Sequence, residues 1–109
     1  MTKNIGVGII GIQGFARSYF KTLQALDGVE IAALCDVNLE AARALATQHG
    51  VGFITQDYRE LLSMDGMDAV FIATPHYLHY PMTMDALRAG RHVFCEKPLA
   101  ISAAHAWEM

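Results

Sequence analysis

The chain has 109 residues, a length that suits one domain with one core. Hydrophobic residues make up 53% and charged residues 17%, with a formal net charge of −3 and no basic stripe, which argues against nucleic acid as a partner. No stretch approaches the roughly twenty apolar residues needed to span a bilayer. The Ile5–Ile12 run behind Lys3 is broken by glycines and followed by no A-x-A site, so a soluble, cytoplasmic protein is expected.

The elements alternate strand and helix from end to end. Asn4–Ile10 is a short run rich in Ile and Val, ended by Gly11 and Gly14, which predicts a strand and then a turn. Phe15, Tyr19, Leu23 and Leu26 recur at helical spacing, and Asp27-Gly28 closes that helix. Val29–Cys35 reads as the second strand. Asn38 is placed to cap a helix running to about Gln48, with Leu39, Ala42, Leu45 and Ala46 facing inward and Gly50 at the C-cap.

Val51–Ile54 predicts a short third strand, and Asp57 with Glu60 resembles a capping box opening a short helix. Asp68–Ala73 is a fourth strand, stopped by Thr74-Pro75. Pro81 fits the first turn of a helix that runs to Ala89 and stops at Gly90. His92–Cys95 is a fifth strand, Glu96-Lys97-Pro98 a loop, and Ile101–Met109 opens a further helix. Strands separated by helices imply right-handed crossovers, hence a doubly wound α/β domain. Its parallel sheet is expected to have five or six strands, with helices on both faces.

Two cysteines, Cys35 and Cys95, each end an apolar run sixty residues apart. They read as small buried hydrophobes rather than a metal pair or redox motif, in keeping with a reducing compartment. His76 and His79 form H-x-x-H on a loop without nearby Cys or carboxylate partners, so no metal site is assigned. The methionines Met64, Met67, Met82 and Met84 lie around short helices and read as packing material.

Gly11-Ile12-Gln13-Gly14-Phe15-Ala16 lies between the first strand and the first helix, where free N–H groups at a helix start can face a pyrophosphate. Against the pattern G-x-G-x-x-G/A, Gly11 and Ala16 fit and Gln13 departs. Gln13 would either crowd the phosphate or donate its amide to it, with Gly14 carrying the tight turn. Asp36 ends the second strand, twenty residues after Ala16. An acidic side chain there accepts hydrogen bonds from the adenosine ribose hydroxyls and repels a 2′-phosphate. Val37 and Asn38 follow it and offer that phosphate no cation, so NAD is expected in preference to NADP. The other reading of Asp36 is a helix-capping carboxylate; the glycine turn in register favours the ribose role.

Phe71–His79, then Ala86–Val93 and Glu96–Ala100, resemble the A-T-P-N-x-x-H, A-L-x-A-G-K-H-V and E-K-P-L-A motifs of the Gfo/Idh/MocA oxidoreductases. The resemblance spans essentially the whole chain, with the motifs in the same order and at the same spacing. It implies an NAD(P)-binding Rossmann domain over residues 1–109, joined in the family to a second α/β domain that forms homodimers or homotetramers. It implies hydride transfer at a carbinol carbon of sugars, inositols and related polyols.

By position in the motifs, the resemblance puts Thr74, Pro75 and His79 beside the cofactor. It also puts Glu96 near the nicotinamide ribose and Lys97 beside the reacting oxygen. An ammonium there stabilises a developing alkoxide. His76 stands where the family has Asn. The family's D-x-x-x-H pair belongs to the second domain, so this chain is expected to be inactive alone and prone to self-association through an exposed edge. A non-catalytic NAD-binding sensor and an NAD-dependent hydrolase of the same family are the rival readings. Retention of Glu96-Lys97-Pro98 argues against the sensor.

Overall fold

A computed structural model describes residues 5–12, 16–74 and 78–95, without the side chains of residues 16–19 and 95. β1 (Ile5–Ile10) is buried from Gly6 onward, as a strand covered on both faces must be, and its unbroken apolar run follows from that. The order continues with α1 (Ala16–Ala25), β2 (Val29–Cys35), α2 (Leu39–His49), β3 (Ile54–Thr55) and α3 (Tyr58–Leu62). It ends with β4 (Ala69–Ile72), α4 (His79–Arg88) and β5 (His92–Cys95). Five strands form one all-parallel sheet in the order β3-β2-β1-β4-β5.

Alternating side chains feed two cores. Ile9, Leu34 and Phe71 pack with Phe20 of α1 and with Ala42, Leu45 and Ala46 of α2. Ile10, Ala33 and Ile72 pack on the other face with Leu61 and Leu62 of α3 and with Met82 and Ala86 of α4. Ile31 joins Leu34 on the first face despite their odd spacing. The β1–β2 register shifts between Val7 and Gly8, which leaves β2 one extra residue and reverses its alternation.

Local signals account for most boundaries. The Asn38 side chain accepts from the Ala41 N–H at 3.1 Å, and Gly50 closes α2 with φ 73°, a left-handed conformation only glycine adopts at little cost. Pro81 lies in the first turn of α4, which begins two residues before it.

Three expectations are corrected. β3 is confined to Ile54–Thr55, because the Val51 N–H is drawn back to the Ala46 carbonyl at 2.9 Å in the turn that ends α2. Asp57 caps α3 through the Arg59 N–H at 3.0 Å, but the Glu60 carboxylate accepts the Thr55 hydroxyl at 3.0 Å instead of reaching back to complete a capping box. In α1, among the described side chains, Phe20 is buried and Leu23 packs against the core, whereas Leu26 lies beyond the helix end and is exposed; Phe15 and the Tyr19 side chain lie outside the described residues. Among the described residues no helix is long and apolar enough to cross a membrane.

Candidate functional site

The chain winds outward from β1 to β3 and then returns to β4 on the other side of β1. That reversal makes a switch point between β1 and β4, where the loops at the carboxyl ends of the strands diverge and leave a crevice. A cleft of about 330 Å³ opens there, lined from the strand ends by Ile10, Gly11, Asp36 and Thr74 and from the helical side by Tyr58 and Met82.

Gly11 has φ 87°, and a Cβ on it would sit 2.7 Å from the Ala73 carbonyl oxygen and 3.0 Å from Thr74 Cγ2. Both the conformation and the space therefore demand glycine. Its N–H donates to the Cys35 carbonyl at 2.7 Å, which ties the end of β1 to the end of β2.

Asp36 lies just past that tie and is 9% exposed. One carboxylate oxygen accepts the Ile12 N–H at 3.0 Å and the other the Asn38 N–H at 2.8 Å. Each oxygen retains further acceptor capacity. The helix-capping role falls to Asn38, so Asp36 is not the cap of α2.

On the opposite wall the Thr74 hydroxyl donates to Met82 Sδ at 3.3 Å, and the Thr74 carbonyl lies 2.8 Å from His79 Nε2. His79 is fully buried at the start of α4. The resemblance sets it beside the cofactor; here its ring reaches the cleft wall from behind. Ala16 is the first residue of α1. Gln13, Gly14, Phe15, Pro75, His76, Glu96 and Lys97 lie outside the described residues.

Lining residues that the sequence did not mark include Gln56, Tyr58 and Leu78. Gln56 Nε2 donates to the Val37 carbonyl at 3.0 Å, bridging the loops after β2 and β3. The Tyr58 hydroxyl donates to an Asp85 carboxylate oxygen, joining α3 to α4. The available signal was topological, since residues just past a parallel strand must rim this end of the sheet. Burial first, then the Asp85 hydrogen bond, pushes the Tyr58 phenol up to about 12. Burial, then the neighbouring Asp36 carboxylate, pushes the Cys35 thiol up to about 12, which suits a packing role and not a nucleophile.

The Asp36 side of this largely apolar cleft, with its acceptor-only carboxylate, fits the adenosine end of a dinucleotide. Apolar walls suit a base, and the carboxylate suits a diol. The model of the Gfo/Idh/MocA oxidoreductases, an NAD-binding Rossmann fold, matches residues 5–109. The chain belongs to that family.

Among curated relatives, the 1,5-anhydro-D-fructose reductase of Ensifer adhaerens is 36% identical over 94% of this chain and 31% of its own length. The α-N-acetylgalactosaminidase of Shewanella oneidensis is 35% identical over 96% of this chain and 25% of its own.

Among solved structures, GenD2 from gentamicin A biosynthesis, in complex with NAD, superposes with TM-score 0.92 at 30% identity, covering 99% of this chain and 31% of GenD2. A variant of KijD10, a 3-ketoreductase from Actinomadura kijaniata in complex with NADP, gives 0.89 at 31% identity over 97% and 34% of the two chains. Myo-inositol 2-dehydrogenase from Lactobacillus plantarum gives 0.88 at 29% identity over 94% and 31%. The chain thus spans about a third or less of the length of these proteins. It is an NAD(P)-binding domain of the Gfo/Idh/MocA type, and relatives with either cofactor are known.

Proposed function

We propose that residues 1–109 are the cofactor domain of an NAD-preferring dehydrogenase or reductase. Its substrate is a sugar, inositol or related polyol, oxidised or reduced at a carbinol carbon. The observation that carries the cofactor half of this reading is Asp36. Its buried carboxylate lines the cleft at the end of β2 with acceptor capacity remaining on both oxygens. A ribose diol supplies the matching donors, and a 2′-phosphate would bring like charge against it. The next residue, Val37, is 84% exposed and apolar, and it offers a 2′-phosphate no cation.

Gly11 and Ala16 allow close approach at the start of α1, and Gln13, Gly14 and Phe15 are assigned to the pyrophosphate by their place in the glycine-rich motif. Thr74, Pro75 and Glu96 flank the nicotinamide half. The dinucleotide, when bound, supplies the redox chemistry. Lys97 stabilises charge on the substrate oxygen. The substrate class is supported by the names of the inositol dehydrogenase and anhydrofructose reductase relatives. Substrate selection and homodimer or homotetramer formation are assigned to a further domain of the whole protein. The likeness to an α-N-acetylgalactosaminidase favours a second reading, a hydrolase that recycles its dinucleotide. Turnover of the whole protein without net NADH separates the two.

Calorimetric titration of the chain with NAD and then NADP, at matched salt, tests the cofactor assignment. Saturable binding that favours NAD is expected. Asp36→Ala should weaken NAD about 10- to 100-fold, the worth of about 1.5–3 kcal/mol for hydrogen bonds to a charged group, and narrow the gap to NADP. Binding of neither dinucleotide, or a variant indistinguishable from wild type, defeats the assignment.

A further inference from the structure

We propose that His79 is a positioning residue for the dinucleotide. It never touches the ligand and acts by holding the Thr74 carbonyl that shapes one wall of the cleft. The inference rests on the reading of that cleft as the cofactor site.

His79 is fully buried and is absent from the cleft lining, so its ring has no path to a ligand there. Thr74 does line the cleft, five residues earlier in the chain. Its carbonyl can only accept, so the His79 Nε2 at 2.8 Å carries the proton and donates. One turn along α4, Met82 Sδ takes the Thr74 hydroxyl at 3.3 Å. Both polar ends of Thr74 are thereby held by residues three apart on one helix face.

Thr74 needs such support because it has left the sheet. β4 ends at Ile72, and the Ala73 N–H makes a bond to β1, at 2.8 Å to the Ile10 carbonyl. On the far side, the Ala73 carbonyl and Thr74 Cγ2 press on the space that a Cβ of residue 11 would fill. The wall set by His79 and the glycine turn are therefore in direct contact. A shift of the Thr74 peptide reaches the Gly11 turn, while the Asp36 carboxylate keeps its own anchors, the Ile12 and Asn38 N–H groups. An apolar side chain of similar volume would fill the same space but leave the carbonyl without its donor.

The test compares His79→Leu, which keeps bulk and removes the donor, with His79→Gln, whose amide nitrogen takes the place of Nε2. Three quantities are read on the full chain: affinity for NAD, affinity for AMP as the adenosine half alone, and hydrogen exchange of the Gly11 amide without ligand. His79→Leu is expected to weaken NAD at least tenfold, to leave AMP within about twofold, and to speed exchange at Gly11. His79→Gln should recover most of each loss. If His79→Leu does not fold, His79→Asn, too short to reach Thr74, replaces it with the same expectations.

Equal losses in the leucine and glutamine variants, with an unchanged ratio of NAD to AMP affinity, would show a merely structural histidine and overturn the proposal. So would wild-type exchange at Gly11 in His79→Leu. Failure of the wild-type chain to bind any nucleotide overturns the cofactor reading instead, and the exchange comparison still decides whether His79 governs Thr74.

Discussion

Cys35 and Asp36 are neighbours in the chain and both line the cleft, yet burial assigns them opposite chemistry. The carboxylate accepts two backbone N–H groups, whereas the thiol is packed among apolar side chains of the α3 and α4 face. Burial and the adjacent carboxylates raise the Cys35 pKa from 9.0 to about 12. Between those values the folded chain keeps a proton that the unfolded chain has lost, so stability falls as pH rises through that window. The melting temperature is expected to drop above pH 9, and the drop should be smaller in Cys35→Ala. A variant that tracks wild type throughout would show that the thiol does not contribute. Tyr58, raised from 10.0 to about 12, adds to the same alkaline loss and survives in the variant, so the two slopes differ without the variant becoming flat.

At the scale of elements, caps and turns decide where helices stop and so which residues reach the cleft. Asn38 caps α2 with its side chain, while its backbone N–H donates to Asp36. The two jobs separate in one substitution. Asn38→Ala loses the cap, worth about 1 kcal/mol, and keeps the bond to Asp36. Urea unfolding is expected to show that loss with NAD affinity unchanged, the reverse of the pattern for Asp36→Ala. A parallel loss of affinity would mean that the capping side chain itself shapes the pocket at Asp36.

Asn38 and Gly50 were legible because each acts within four residues of its own position. The capping box at Asp57 was only half legible, since the Glu60 carboxylate is taken by Thr55, a partner whose closeness depends on how β3 enters α3.

At the scale of the molecule, parallel pairing puts all the carboxyl ends at one end of the sheet, and the strand order opens the cleft there between β1 and β4. Among the described residues the sheet has two edges. β3 has two residues and is too short to template another strand, while β5 has four and carries Phe94, stacked on Phe71 at 4.7 Å and still 55% exposed. Sedimentation of the chain is expected to depend on concentration, and Phe94→Lys, which puts charge on that edge, should shift the distribution toward monomer. A monomer at every concentration in wild type would remove the argument that this edge pairs.

Sequence alone determined the kinds and order of the elements, the parallel sheet and the family, because apolar period, caps and ordered motifs are local or linear properties of a chain. It also placed Gly11 and Asp36 at the ends of their strands, where topology must bring them together. Tertiary structure alone decided what each of the other side chains meets. It turned His79 into the core onto Thr74, brought Gln56 and Tyr58 to the cleft, buried Phe20 of α1 and reversed the alternation of β2 with one extra residue. The physical reason is that an environment is set by residues distant in sequence. Spacing says which side chains share a face, and only packing says what that face is pressed against.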